Sequence, residues 1–494
     1  MTSPDSEYHG SLPWAGREVA TVILLFLGMA LVLSFRLGAA SPTFAAEIRC
    51  WKVVSEMTQT GDWLVPRREG RPALNKPPLF YWAGAAISSF AGGASYATLR
   101  APSLIAALAV FLLTYAWGRS IGGPALGVVA AGLLAAMFKF YELGREGTFE
   151  MLLALLTNAA LLTFDRIYWT GRRSLTPLFF LFVLAAFLTK GPPAFLIVGV
   201  PIVLFLAFRR QILRLLKWRL AAWFLVTLAL GLLWFAAIIY RVPGAWERFF
   251  SEATLPMGVE ATTKHTAEHY HHMFYFFSRI SLTAAVVSLL FPLLAWRAWQ
   301  TRFWRDDPRL RFCGWIFVGL MVGFSLFPQK QAHYLLPLFP AIVILTADAA
   351  LWAADPMSNV HWAWLGIPSV LAGIASIITP VPLVFYLQVL LQVSLGAVLA
   401  LSLALAGLSA ATVWFAAKRR WQAAGTAILL SCLLVFLVRF DSFEIVQRQF
   451  ATGEFERRAD YDPAHWTRMK ESYPFVAKVF HRSSRFMKDE NEKE

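Results

Sequence analysis

Charged side chains are scarce in this chain: Asp, Glu, Lys and Arg make up 15% of 494 residues, where soluble domains carry roughly 25%. Cysteine is scarcer still. Cys50, Cys313 and Cys432 are an odd set of three without metal-ligand spacing, and the last two lie in or beside apolar runs, so neither a disulfide framework nor a zinc finger is supported. No GxxxxGK[ST] run occurs and no GxG turn follows a strand-like run, which removes the nucleotide-binding signatures. Internal repeats and low-complexity tracts are missing too. The amino end lacks a cleavable signal pattern, because Glu7, Arg17 and Glu18 precede the apolar run Val19 to Ser34, which reads as an uncleaved first helix. What is present is apolar: 58% hydrophobic residues and a mean hydropathy of +0.56 describe a polytopic membrane protein. The net charge of +15 is then explained by Lys and Arg retained in cytoplasmic loops, without nucleic acid as a partner.

Stretches long enough to cross about 30 Å of hydrocarbon fall near 19–38, 99–117, 123–142, 148–165, 175–189, 193–208, 220–240, 275–295, 312–327, 334–352, 363–380, 388–415 and 422–439. The expected fold is therefore all-α, with about 13 transmembrane helices. Four basic clusters fall on one face: Arg166, Arg172 and Arg173; Arg209 to Arg219; Arg297 to Arg311; and Lys418 to Arg420. That face is read as cytoplasmic, with the amino terminus on the same side. The run 78–92 is short and opens with Pro, so it reads as a helix lying along the outer interface. A transmembrane domain over 1–440 then carries two large outer loops, 39–98 and 241–274, and is followed by an outer tail, 441–494.

In the first loop, Ser41-Pro42 is a helix start, and Phe44, Ile48, Trp51 and Val54 form a helical stripe, which predicts an amphipathic helix on the membrane. The tail shows a smaller one, with Phe475, Val476, Val479 and Phe480 on one side and Lys478, Arg482 and Arg485 facing the headgroups.

Charge at membrane depth marks functional candidates. One topology brings Glu47, Arg49, Lys76, Arg145, Glu146, Glu150, Lys190, Lys330, His333 and Tyr334 to the outer face, a set of cations and carboxylates suited to an anionic lipid headgroup. Each has a plainer reading. Glu47 also fits a solvated carboxylate favoured by a helix start, and Lys76 and Lys190, each followed by prolines, also fit snorkelling anchors. Glu150 has the weakest plain account, since its burial needs a partner such as Arg145. His265, His269 and His272 recur at i, i+4 and i+7, a spacing that serves a divalent metal or simply a polar helix face.

The runs EIRCWKVVSEMTQTGDWLVPRREGRPALNKPPLFYW, LRAPS, GREGTFEM, FLTKGPP and QKQAHYLLPLFPA, in this order over residues 19–352, resemble the bacterial polytopic C-type glycosyltransferases that use polyprenyl-phosphate sugars, the group of lipid A aminoarabinose transferases and protein mannosyltransferase-like enzymes. The resemblance implies an inverting transfer from a polyprenyl-phosphate sugar to a lipid, glycan or protein acceptor at the outer face of the bacterial inner membrane. It implies catalytic roles for Glu47 and Glu150 and donor-phosphate binding by Arg49, Lys76, Arg145, Lys190, Lys330 and Tyr334. It also implies a carboxylate that acts as base or holds a divalent metal. Two residues depart from the pattern. Ala46 replaces the first acid of an acidic-acidic-x-Arg motif and Asn75 replaces a carboxylate before the lysine, so aminoarabinose transfer is a poor specific assignment.

A transporter or flippase for lipid-linked sugars is the competing reading, and a binding or scaffolding protein descended from an enzyme is a third. A transporter places polar residues near mid-span and pairs broken helices, whereas this chain gathers charge at one face. The topology is checked by cysteine-accessibility labelling. Lys76, Glu150, Lys330 and Tyr473 are expected outside and Arg214, Arg305 and Arg419 inside; Lys76 and Arg305 labelled from the same side overturn it.

Overall fold

The structure, a computed structural model, describes residues 18–39, 45–216, 218–247, 249, 272–301, 307–327, 330–355, 364–369, 371, 395–421 and 423–435. Seven helices among these are long and apolar enough to cross a membrane, and Glu18–Ser34, Pro193–Phe208 and Ala423–Val435 are shorter apolar helices. The chain is a multi-pass membrane protein.

α1 (Glu18–Ser34) shows how such a helix divides its surface: Val22, Met29, Val32 and Leu33 are buried, while Val19, Ile23, Leu24, Leu27 and Leu31 are exposed on a face suited to lipid. α4 begins at a Ser95/Thr98 capping box and runs over Tyr96–Ala135, with non-helical backbone at Gly122 and Gly123. There it turns back on itself. Nine residues of straight helix span about 13 Å, yet a Cβ on Gly118 would lie 3.1 Å from the Gly127 Cα. The φ of +78° at Gly123 and the absence of a side chain at Gly127, where a Cβ would stand 2.7 Å from the Tyr115 carbonyl oxygen, permit this reversal. Two of the expected crossings are thus the arms of one hairpin. The second ends at Ala135 rather than 142, and the chain resumes as the short α5 (Phe138–Arg145).

α6 (Phe149–Thr170) ends at Gly171, whose left-handed φ of +68° stops the helix. α7 (Thr176–Lys190) stops likewise at Gly191, and Pro192-Pro193 start α8 (Pro193–Phe208). α9 covers Trp218–Arg241. The expected crossing 275–295 is corrected to two helices, α10 (Tyr275–Ala284) and α11 (Phe291–Thr301), joined by a 3-10 stretch. α12 is Pro308–Leu326. The expected 334–352 begins as a 3-10 segment, Ala332–Leu338, because Pro337 has no N–H for an α-helical bond, and continues as α13 (Phe339–Ala354). Asn158 in α6 ties this segment down by donating to the Pro337 carbonyl at 3.1 Å. α14 is Leu395–Ala417. Of the run 363–380, and of the 241–274 loop, only parts are described, and the 441–494 tail with its small helix lies outside the described residues.

The segment 39–98, expected as the first outer loop, folds into α2 (Ala45–Thr60), a hairpin of two-residue strands β1 (Arg67–Arg68) and β2 (Arg71–Pro72), and α3 (Leu79–Phe90). Ser41, Pro42 and Phe44 fall outside the described residues. The buried stripe of α2 is rotated from the expected one: Glu47, Cys50, Val54 and Met57 are buried, while Ile48 and Trp51 are half-buried, because α2 packs on α3, Leu99 and Phe149 as well as resting at the surface. Glu69 and Gly70 make the hairpin turn with positive φ, and Lys52 and Glu56 of α2 hold it, Lys52 at 2.8 Å from Glu69 and Glu56 accepting from the Gly70 N–H at 3.2 Å. At 12 residues, α3 is too short to span, as expected for 78–92.

Charges collect at the two ends of the bundle. At one end Glu18 accepts from Tyr115 and Arg119, Arg309 donates to the Ser120 carbonyl, and Arg209, Arg214 and Arg311 lie over Trp169, Tyr168 and Phe208. All of these arginines except Arg119 belong to the basic loops of the sequence. The opposite end receives the starts of α2, α4 and α6 and the end of α7.

Candidate functional site

At that opposite end Glu47 stands in the first turn of α2 and is only 1% exposed. Its carboxylate is fully engaged. Arg100, in the first turns of α4, donates from Nε to Oε1 at 2.7 Å and from Nη2 to Oε2 at 3.1 Å, and the Gly147 N–H donates to Oε1 at 2.7 Å. Arg100 Nη1 donates to the Leu37 carbonyl at 2.7 Å. The contact with the 146–148 loop needs glycine: a Cβ at 147 would sit 2.5 Å from Leu99 and 3.2 Å from Glu47 Oε1. The plain reading of Glu47 as a solvated carboxylate is corrected, since it is buried and paired. Arg49 is exposed on the other side of the helix, and the bidentate partner is Arg100, within the LRAPS run.

Arg145 is also employed otherwise than expected. It is buried, and its Nη1 donates to the carbonyls of Val32, Leu33 and Phe35 at 2.7–3.0 Å, satisfying the open C-terminal end of α1. The partner of Glu150 is therefore not Arg145. Lys190 Nζ lies 2.7 and 2.6 Å from the two Glu150 oxygens, and His333 Nε2 is 3.4 Å from Oε1. The Lys190 ammonium also lies 4.8 Å above the Tyr334 ring. Lys76 is close enough to act on Glu150 electrostatically, and its neighbour Pro77 approaches Gly191, just beyond Lys190. Lys330, 3% exposed, precedes His333 and Tyr334 by three and four residues.

The approach to Lys76 is shaped locally. Gly61 takes a positive φ, Asp62 accepts from the Leu64 and Val65 N–H groups at 3.2 Å, and the Trp82 indole donates to the Trp63 carbonyl at 2.6 Å. The GDWLVP run is thereby locked to α3, which follows Lys76-Pro77-Pro78. Thus Lys76, Glu150, Lys190 and Tyr334 come together, with Lys330 on the same segment as Tyr334, whereas Glu47 is buried against Arg100, Arg49 is exposed, and Arg145 closes the end of α1. His265 and His269 lie outside the described residues, and His272 is exposed. Glu146 and His333 stood among the candidates at this face without an assigned role, and Arg100 was not singled out; a charge inside the apolar run after Leu99 is the signal that marks it.

The fold defines a class: this is a polytopic membrane protein with the C-type glycosyltransferase fold, which it shares with the solved structures named below. Residues 75–240 match the family model described as dolichyl-phosphate-mannose-protein mannosyltransferase. The undecaprenyl phosphate-alpha-4-amino-4-deoxy-L-arabinose arabinosyl transferase of Aeromonas salmonicida is 27% identical over 317 residues, 62% of this chain and 55% of the relative. The enzyme of the same name from Serratia proteamaculans is 27% identical over 435 residues, 84% of this chain and 75% of the relative. The chain thus spans about half the length of the Aeromonas relative. Crystal structures of ArnT from Cupriavidus metallidurans share the fold, with a TM-score of 0.68 in the apo state at 19% identity, covering 88% of this chain and 79% of that one. A second ArnT structure, bound to undecaprenyl phosphate, gives 0.65 over 87% and 80% at 19% identity.

Two outcomes follow from the buried charges. Arg100→Met leaves the Glu47 carboxylate buried without its cation and is expected to destabilise the protein by about 3–5 kcal/mol, whereas Glu47→Leu with Arg100→Met recovers most of it. Thermal unfolding in detergent reads this, and an Arg100→Met protein as stable as wild type refutes it. For Lys330, burial disfavours the ammonium and lowers its pKa. Between that lowered pKa and the ordinary value near 10.4 the unfolded chain binds more protons, so the penalty is complete below the folded pKa and fades as pH rises through this window. Lys330→Met is expected to be more stable than wild type at pH 7, with the gap shrinking at alkaline pH; a pH-independent gap refutes the assignment.

Proposed function

We propose that this chain is an inverting glycosyltransferase of the bacterial inner membrane, acting at the periplasmic or outer face, which moves a sugar from a polyprenyl-phosphate donor to a lipid, glycan or protein acceptor. The observation that carries this reading is the convergence of Lys76, Lys190 and Tyr334 on Glu150, with Lys330 and His333 on the adjoining segment, at the end of the bundle opposite the basic loops. Its setting matches the polarity expected from those loops. The names of the relatives, which act on undecaprenyl phosphate-linked sugar, and the ArnT structure bound to undecaprenyl phosphate support the donor class.

In this reading the acceptor oxygen attacks the anomeric carbon from the face opposite the phosphate, which inverts the centre. A phosphate leaving group needs little protonation, but its growing charge needs cations already in place. Lys76, Lys190 and Lys330 supply them. Glu150 holds the Lys190 ammonium by both oxygens and His333 by one, so it orients the cation and restrains it from collapsing elsewhere. The acceptor hydroxyl requires a carboxylate to take its proton. Glu47 is fully bonded beneath the surface, so its role is to fix α2, α4 and the 146–148 loop. The residues described do not fit a resident divalent ion: Glu150 is already bonded by Lys190, and no three His, Cys, Asp or Glu side chains converge among the described residues. No step here runs through a metal.

Ala46 and Asn75 stand where the family resemblance implies acids, and they direct the substrate reading away from that sugar. Mass spectrometry of lipid-linked and envelope glycans with and without the gene tests the function, with accumulation of an undecaprenyl-phosphate sugar and loss of one envelope modification expected. Unchanged glycans overturn it. For the donor site, Lys76→Ala is expected to weaken undecaprenyl phosphate binding by about 1.5–3 kcal/mol, roughly 10- to 100-fold, and Lys76→Arg by much less. Equal binding by wild type and the alanine variant leaves Lys76 as a membrane anchor only.

A further inference from the structure

Three glutamates lie around the loop between α5 and α6, and their partners separate them. Glu47 is closed off by Arg100 and the Gly147 N–H, and Glu150 by Lys190 and His333. Glu146 is half-buried, and among the described residues its carboxylate has neither an ion pair nor a hydrogen bond. We propose that Glu146 is the general base that takes the proton of the acceptor hydroxyl, an inference that rests on the glycosyl-transfer reading above. In that step the hydroxyl oxygen bonds to the anomeric carbon, and the bond from that carbon to the phosphate oxygen breaks. Its electron pair leaves on polyprenyl phosphate, and the hydroxyl proton passes to the Glu146 carboxylate.

Placement favours Glu146 on three counts. Its backbone is held, since Gly147 donates to Glu47 and the Thr148 carbonyl accepts from Ser103 at 3.2 Å. It stands four residues from Glu150, whose cations face the phosphate in this reading. Ala46 removes the carboxylate that the neighbouring position of α2 would otherwise bring. The charged groups around it are Glu142 and Lys139 of α5, which pair with each other at 2.8 Å, Glu47 of α2 and Glu150 of α6. Burial, reinforced by Glu142 and opposed by Lys139, raises the Glu146 pKa well above the ordinary carboxylate range. A base of that strength retains an abstracted proton better near neutral pH than an ordinary carboxylate does.

The test uses the full chain in detergent, with undecaprenyl phosphate carrying mannose, glucose or 4-amino-4-deoxy-L-arabinose as donors and membranes lacking the gene as acceptor. Release of undecaprenyl phosphate is followed by mass spectrometry. Wild-type turnover is expected to rise with pH through a limb above the ordinary carboxylate range. Glu146→Gln is expected to lose roughly 10²- to 10⁴-fold in kcat and to lose that limb. It should bind undecaprenyl phosphate and melt as wild type does, and Glu146→Asp should retain part of the activity. An active wild type with Glu146→Gln within a few-fold of it overturns this inference alone. So does a Glu146→Gln protein that unfolds while Glu146→Asp melts normally and keeps the wild-type rate and pH profile. A wild type that releases undecaprenyl phosphate from none of the donors overturns the glycosyl-transfer reading as well.

Discussion

The end of the bundle that carries the candidate site depends on one buried ion pair. A carboxylate removed from water is tolerated only when its lone pairs are met, and Glu47 is met by two Arg100 nitrogens and one backbone N–H. Because Glu47 begins α2, Arg100 begins α4, Gly147 joins α5 to α6 and Leu37 follows α1, a single pair sets the relative position of four segments. Apolar contacts do not supply that precision, since they are non-directional. Arg145 adds a second tie by closing the end of α1.

Upon this support the chain divides its remaining charge by degree of engagement. Glu150 and Lys190 pair at 2.6 Å, and the ammonium lies 4.8 Å above the Tyr334 ring. Lys330 is buried, and that burial disfavours its charge. Glu146, in the same loop that Glu47 steadies, has neither an ion pair nor a hydrogen bond on its carboxylate among the described residues. In the proposed reaction, charges fixed in this way before the substrate arrives leave little reorganisation for the step in which charge develops on the leaving phosphate.

The low charge content and the apolar runs determined, without coordinates, that this protein is an all-α bundle crossing a membrane many times, because backbone polar groups in hydrocarbon must be satisfied within helices. The same sequence located α7, α8 and α9 closely, placed a helix within the first loop, showed that α3 is too short to span, and placed Lys76, Glu150, Lys190 and Tyr334 on one face, since charges near span ends are few and conspicuous. Local rules do not foresee where a run reverses or breaks. The Gly122-Gly123 turn fell near an expected loop, but the division at Ala136 and the 3-10 entry into α13 came from packing and from Pro337. Partner choice was decided only in three dimensions. Arg49 is two residues from Glu47 and Arg100 is fifty-three away, yet on a helix neighbours two apart do not face one another, and the fold brings Arg100 to 2.7 Å. For the same reason Glu146, one charged residue among several in the sequence, became distinct from Glu47 and Glu150 only once the tertiary structure showed which carboxylates were already bound.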